Sequence, residues 1–117
     1  MVSKRVILSM SLIIISISLI NFGFARDYVF ENHAKSGVST RVRTFFNCQT
    51  HSPGGGGSGT AEHGTVTSNF VVQNKCGTAN EPTNEYWYTS NPGFKGTDTV
   101  TIPASAGTNV VVKVTVE

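Results

Sequence analysis

Three histidines are the residues whose side chains could most readily do chemistry in this chain of 117 residues. His33, His51 and His63 could hold a metal ion or move a proton if the fold brought them together. Each lies in or beside a segment rich in turn residues, and no two have the short spacing of a structural zinc site. We therefore expect no metal centre and no cofactor.

The other motifs with catalytic or ligand-binding potential are incomplete. Residues 53–59 read Pro-Gly-Gly-Gly-Gly-Ser-Gly but lack the Lys-Ser/Thr ending and following helix of a phosphate-binding loop, so we expect a flexible loop. The acidic residues are scattered, which leaves at most a weak surface calcium site. No Gly-x-Ser-x-Gly elbow is present. The pattern indicates a protein that is not an enzyme.

The first residues of the chain have the pattern of a secretory signal. Lys4 and Arg5 precede an apolar run over residues 6–20, which a small-x-small sequence ending at Ala25 follows. We predict a signal peptide over residues 1–25, cut after Ala25, and a secreted or periplasmic product that meets the membrane only before cleavage. The alternative is an uncleaved anchor, because residues 6–25 could just cross a bilayer of about 30 Å.

The charge of the remaining chain argues against nucleic acid as a partner. Residues 26–117 carry seven basic and seven acidic side chains, so the net charge of +2 belongs to the predicted signal. No basic stripe is left to neutralise a phosphate backbone.

Cys48 and Cys76 are the only cysteines of the chain. In an oxidising compartment we expect them to pair, which would stabilise a small domain by roughly 3–4 kcal/mol. Two free thiols, a redox couple and a metal pair are the alternatives, although the spacing is not Cys-x-x-Cys.

Alternation of apolar and polar residues predicts short strands separated by turn residues. The predicted strands cover residues 38–46, 65–74, 86–88, 97–102 and 110–117, and residues 76–85 are a predicted connection. Alternation in the last strand places four valines on the inward face: Val110, Val112, Val114 and Val116. No apolar spacing typical of a helix occurs after residue 25. We expect an amino-terminal leader or edge segment over residues 26–36, followed by an all-β sandwich domain over residues 37–117.

A resemblance to a known family rests on three stretches of sequence. They are His63-Gly64-Thr65-Val66, residues 86–102 with Asn-Pro-Gly-Phe-x-Gly-Thr-Asp inside, and the valine-rich last strand. They resemble the bacterial Ig-like or cadherin-like modules of exported and cell-surface proteins. The resemblance implies a Greek-key β-sandwich of about seven strands that binds, adheres or spaces rather than catalyses. It also implies turn and end-closing roles for Gly64, Pro92, Gly93, Phe94, Gly96 and Asp98, with Asp98 accepting backbone N–H groups of the adjoining turn.

An outward-facing aromatic side chain is the candidate binding feature. If Tyr86 and Tyr88 face the core, as the resemblance implies, Trp87 between them points outward. By the same alternation Phe45 opposes the face that carries Val42, beside two arginines. The predicted hot spot consists of Trp87, Phe45, Arg41 and Arg43. The alternatives are that the amino-terminal segment covers these side chains or that the register is reversed.

These observations together favour an exported, disulfide-stabilised Ig-like module with a binding or adhesion role, in the periplasm or outside the cell. Its partner would be a protein or a surface glycan, gripped through exposed aromatic side chains or an open sheet edge. One alternative is an envelope subunit that assembles by strand addition through its terminal strand or leader. A small metal-dependent enzyme that uses the histidines is the third and least favoured hypothesis.

Overall fold

A computed structural model of the chain describes residues 27–104 and 107–117. The predicted signal peptide therefore lies outside the described residues. The described residues form seven strands: β1 (Tyr28–Ala34), β2 (Thr40–Phe45), β3 (Thr60–Ala61), β4 (Gly64–Lys75), β5 (Thr78–Ser90), β6 (Gly96–Pro103) and β7 (Asn109–Val116). They lie in two sheets, which confirms the prediction of a small all-β sandwich. None of the described residues belongs to a helix long and apolar enough to cross a membrane.

The two sheets have different sizes. One contains four strands in the order β1-β7-β6-β3, and the other contains three in the order β2-β5-β4. Strands β1 and β7 run parallel, and the remaining neighbours are antiparallel. The amino-terminal segment thus adds β1 to the edge of the larger sheet, and β4 is an edge strand of the smaller one.

The core lies between the sheets and follows from the alternation of strand side chains. In β7 four valines point inward and are buried: Val110, Val112, Val114 and Val116. They meet Val100 and Ile102 of β6 and, from the facing sheet, Tyr86 and Tyr88 of β5. The predicted inward orientation of the four valines and of both tyrosines is confirmed.

Strand β5 begins at Thr78, although residues 76–85 are predicted as a connection. Cys76 and Gly77 have φ angles of 54° and 75°, and this two-residue turn pairs the segment with the alternating run of β4. Pro82 has no backbone N–H to donate. It is tolerated because β2 pairs with β5 only as far as Asn84, so β2 does not need a hydrogen bond from residue 82. Cross-strand pairing therefore overrides the loop-like composition.

A β-bulge in β2 reverses part of the predicted alternation. Arg41 pairs with Trp87, but Arg43 pairs with the next residue, Tyr86, so that Val42 is the extra residue. From Arg43 onward, β2 side chains face the side opposite to the predicted one. Phe45 consequently packs against the core rather than lying on the outer face with Arg41.

A disulfide bond joins Cys48, in the segment after β2, to Cys76 in the β4–β5 turn. This finding confirms the predicted pairing, and it closes a loop of 28 residues by sequence separation. The bond ties the far end of the β4–β5 hairpin to the chain that leaves β2.

Candidate functional site

Asp98, near the start of β6, is the centre of a buried hydrogen-bonding cluster. Its fully buried carboxylate accepts the backbone N–H groups of Glu62 at 3.2 Å, His63 at 3.0 Å and Thr99 at 2.8 Å. The hydroxyl of Tyr88 donates a fourth hydrogen bond at 2.7 Å. Burial and the Asp98 carboxylate raise the pKa of Tyr88, so the phenol remains a donor. Asp98 thus clamps the bend between β3 and β4 onto the core.

The same residues include a possible set of metal ligands. One ligand atom each of Glu62, His63 and Asp98 lies within 4.8 Å of the others. Both oxygens of Asp98 already accept hydrogen bonds from the chain, so the position of its carboxylate is explained without an ion. Of the three histidines, His63 alone belongs to this cluster; Nδ1 of His51 lies 3.0 Å from Oε2 of Glu81, and His33 lies on β1.

The neighbouring turn carries the residues that the resemblance singles out. The backbone N–H of Phe94 donates to the carbonyl of Asn91 at 3.1 Å across Pro92 and Gly93, whose φ is 82°. The ring of Phe94 packs edge-on against His63 at 4.4 Å between centroids. These contacts close one end of the sandwich, next to Asp98.

Two further glycines belong to this end of the sandwich. Gly64 starts β4 where a Cβ would strike the carbonyl of Thr89 and approach the Tyr88 ring to 2.9 Å. Gly96 starts β6 with a φ of 130°, a backbone conformation that favours glycine.

Glu85 organises the outer face of the three-stranded sheet. Its carboxylate accepts hydrogen bonds from Arg41 Nη1 at 3.0 Å, Gln73 Nε2 at 3.2 Å and Trp87 Nε1 at 3.3 Å. Burial of the carboxylate acts to raise its pKa, but these three donors and the charge of Arg41 outweigh burial and lower the pKa of Glu85. Trp87 therefore points outward, as expected, but is half-buried and held by this network.

The structure divides the predicted hot spot between the two faces of the sheet. Arg41 and Trp87 are paired neighbours on the outer face. Arg43 and Phe45 lie on the inner face, where the Arg43 guanidinium stacks on Phe30 at 3.8 Å from its centroid. Phe45 packs edge-on against Tyr86 at 5.3 Å. The four residues do not form one exposed patch, and a binding role for Trp87 and Arg41 stays a prediction.

The glycine run, expected to be a flexible loop, packs closely against the sandwich. The Tyr86 hydroxyl donates to the carbonyl of Gly57 at 2.8 Å. A Cβ on Gly55 would lie 2.9 Å from that hydroxyl, and one on Gly56 would lie 2.8 Å from the carbonyl oxygen of Pro103. Glycine is therefore needed here for close approach. Residues 53–58 form one wall of a groove of about 400 Å³ whose other wall includes Phe70 of β4.

The largest exposed apolar side chains of β4 are residues that the sequence analysis did not single out. Phe70 is 76% exposed and Val72 is 64% exposed. Both lie on the inner face, since they pair with Asn84 and Pro82, but the four-stranded sheet does not cover this end of the hairpin. The sequence feature that points to these two residues is the alternating run at residues 65–74, which is longer than every other predicted strand.

Comparison of the chain with known protein families, with curated proteins and with solved structures finds no match.

Proposed function

We propose that this chain is an exported, non-enzymatic binding module of the Ig-like type, which acts in the periplasm or outside the cell and grips its partner through an open strand edge. The Cys48–Cys76 disulfide supports export, because such bonds persist mainly in oxidising compartments. The cleaved signal peptide over residues 1–25 is part of this proposal.

The strand order supports the Ig-like assignment. Within the two sheets, the strand orders β2-β5-β4 and β3-β6-β7 match the orders B-E-D and C-F-G of an immunoglobulin constant-type sandwich. The first strand differs, since β1 pairs with β7 rather than with β2. Because β1 occupies a place in its own sheet along seven residue pairs, the structure gives no support to the alternative in which the leader is donated to a neighbour.

The buried acidic groups support a non-catalytic role. Asp98 and Glu85 each accept hydrogen bonds from several donors, and Glu81 bonds to His51. A general acid or base needs a lone pair or proton directed at a substrate, whereas these carboxylates form hydrogen bonds with other groups of the chain. The glycine run is likewise engaged with Tyr86.

The observation that carries the proposal is the exposure of Phe70 and Val72 on β4. They are adjacent on one face of an edge strand, and β4 has a partner strand only on its β5 side among the described residues. An edge strand offers a row of backbone donors and acceptors, and flanking apolar side chains add specificity. A protein segment in extended conformation is the partner that fits this surface.

Capture of envelope proteins by the immobilised, oxidised chain tests the proposal. The double variant Phe70→Thr with Val72→Thr keeps strand-forming residues but removes the apolar contacts, and we expect it to recover at least about tenfold less partner. Tyr28→Thr, at an exposed position of β1, is the matched control and should recover partner normally. Equal recovery by wild type and the double variant would refute the proposal. Loss with Trp87→Ala alone would move the binding surface to the outer face of the sheet.

A further inference from the structure

Within residues 27–104 and 107–117, the free edge of β4 lacks the features that keep most edge strands from pairing with other chains. Such edges are usually short, charged, interrupted by proline or covered. Strand β4 is 12 residues long, contains no proline, and has Lys75 at its end as its single charged residue. Its one register irregularity lies near that end, between Gln73 and Lys75. The exposed side chains of Phe70 and Val72 lie near the middle of this strand.

The direction of the backbone groups on this edge follows from one side-chain contact. The hydroxyl of Thr83 on β5 donates to the carbonyl oxygen of Val71 at 2.7 Å, so that carbonyl points toward β5. Backbone groups of successive residues in a strand point to opposite sides. The N–H and C=O groups of Phe70 and Val72 therefore point away from β5, toward the side where the described residues provide no further strand.

The sequence of this edge is symmetric in polarity about Val71. Reading outward from Val71, the residues on the two sides are Phe70 and Val72, Asn69 and Gln73, Ser68 and Asn74, and Thr67 and Lys75. An antiparallel copy related by a two-fold axis at Val71 would place each member of these pairs opposite the other. Phe70 would then cover Val72 of the second copy, and Val72 would cover its Phe70.

We propose that two copies of this chain pair through β4, antiparallel and with the two-fold axis at Val71, so that the two three-stranded sheets become one sheet of six strands. This inference rests on the proposed function and names the partner of the same edge. The outward groups of four residues per copy would form about eight backbone hydrogen bonds.

Charge favours a second copy as the occupant. A two-fold axis brings the same stretch of sequence from both copies together, so an edge with charge of one sign would repel the second copy. Residues 64–74 carry no formal charge. Lys75 would lie opposite Thr67, away from Lys75 of the second copy. Residues 26–117 also have no net charge to oppose association.

Site-directed cross-linking tests the axis directly. In the proposed pair, Val71 faces itself in a non-hydrogen-bonded position with a Cα separation of about 4.5 Å, which suits a disulfide. The two copies of Asn69 would be four residues apart in register, about 13 Å. Val71→Cys should therefore form a covalent dimer at least about tenfold faster than Asn69→Cys in purified, oxidised protein. Equal rates, or no cross-link with either, would overturn the proposed register.

A charge exchange tests the pairing without added thiols. Sedimentation of the purified wild type should give twice the mass of one chain, and Phe70→Glu or Val72→Lys should each give monomers. The double variant Phe70→Glu with Val72→Lys should recover the dimer, since each new carboxylate would face a new ammonium group across the axis. Circular dichroism and the intact Cys48–Cys76 bond report that each variant folds.

The two proposals fail in distinguishable ways. A wild type that stays monomeric at all concentrations overturns self-pairing, yet the binding function stands if that monomer still captures a different protein through Phe70 and Val72. A dimer whose double variant remains monomeric overturns the axis at Val71.

Discussion

Replacing Asp98 by alanine would remove the acceptor of three backbone N–H groups and one phenol in a single step. Hydrogen bonds to a charged group are worth about 1.5–3 kcal/mol each, and donors left buried without an acceptor add a penalty. These contributions do not simply add, because the four bonds share one carboxylate and we expect water to reach the bend at Glu62 and His63 once that carboxylate is gone. We expect Asp98→Ala to lower the free energy of unfolding by about 4 kcal/mol, a large share of the roughly 5–15 kcal/mol of a domain.

A change at Tyr88 separates the contribution of one hydrogen bond from the rest of the stability lost in Asp98→Ala. Tyr88→Phe removes one of the four donors and keeps the ring in the core, so it should cost about 1–2 kcal/mol. The double variant should cost less than the sum of the single variants, with a coupling of about 1–2 kcal/mol, because the Asp98–Tyr88 bond can be lost only once.

Guanidinium unfolding of the oxidised chain, followed by Trp87 fluorescence and by circular dichroism, measures these differences. Asp27→Ala, at an exposed residue ahead of β1, is the control and should leave the midpoint unchanged. A cost below about 1 kcal/mol for Asp98→Ala, or full additivity with Tyr88→Phe, would refute the view of Asp98 as the clamp of the β3–β4 bend.

Three further changes probe the rest of the fold. The double variant Cys48→Ser with Cys76→Ser should lose about 3–4 kcal/mol in denaturant unfolding, because a loop spanning 28 residues is no longer closed; an unchanged midpoint would contradict this. Glu85→Gln should flatten the loss of stability below about pH 4.5: the stabilisation from the lowered pKa of Glu85 is present above the ordinary pKa of 4.5 and is lost as the pH falls through the folded-state value. Thermal melts across this range measure it, and identical profiles for variant and wild type would argue against it. Gly64→Ala should cost about 1–3 kcal/mol because its Cβ would strike the β5 backbone, whereas the exposed neighbour change Thr65→Ala should cost little; equal denaturant midpoints would disprove the close approach.

Where the sequence analysis and the structure differ, the differences have physical causes in particular residues. The alternation of β2 predicts Phe45 on the outer face, but the bulge at Val42 turns it inward. The Gly, Asn, Thr and Pro content of residues 76–85 favours a loop, yet the ladder with β4 makes most of them strand. Neither the bulge nor the ladder has a local sequence signature, since both depend on which strand lies alongside.

The candidate binding surface was only partly predictable. The outward direction of Trp87 follows from alternation, but its engagement by Glu85 depends on Arg41 and Gln73 from two other strands. The shared face of Phe70 and Val72 also follows from alternation. Their exposure depends on the shorter strands of the opposite sheet, which do not reach over them.

The sequence alone determined the all-β class, the inward valines of β7, the turn at Pro92 and Gly93, and the pairing of the two cysteines. Each of these depends on local backbone geometry, on a period of two, or on there being a single possible partner. Tertiary structure decided the bulge in β2, the docking of the glycine run on Tyr86 and the open edge of β4. These features arise from register, length and close approach between segments far apart in the chain, and such relations exist only once the two sheets face each other.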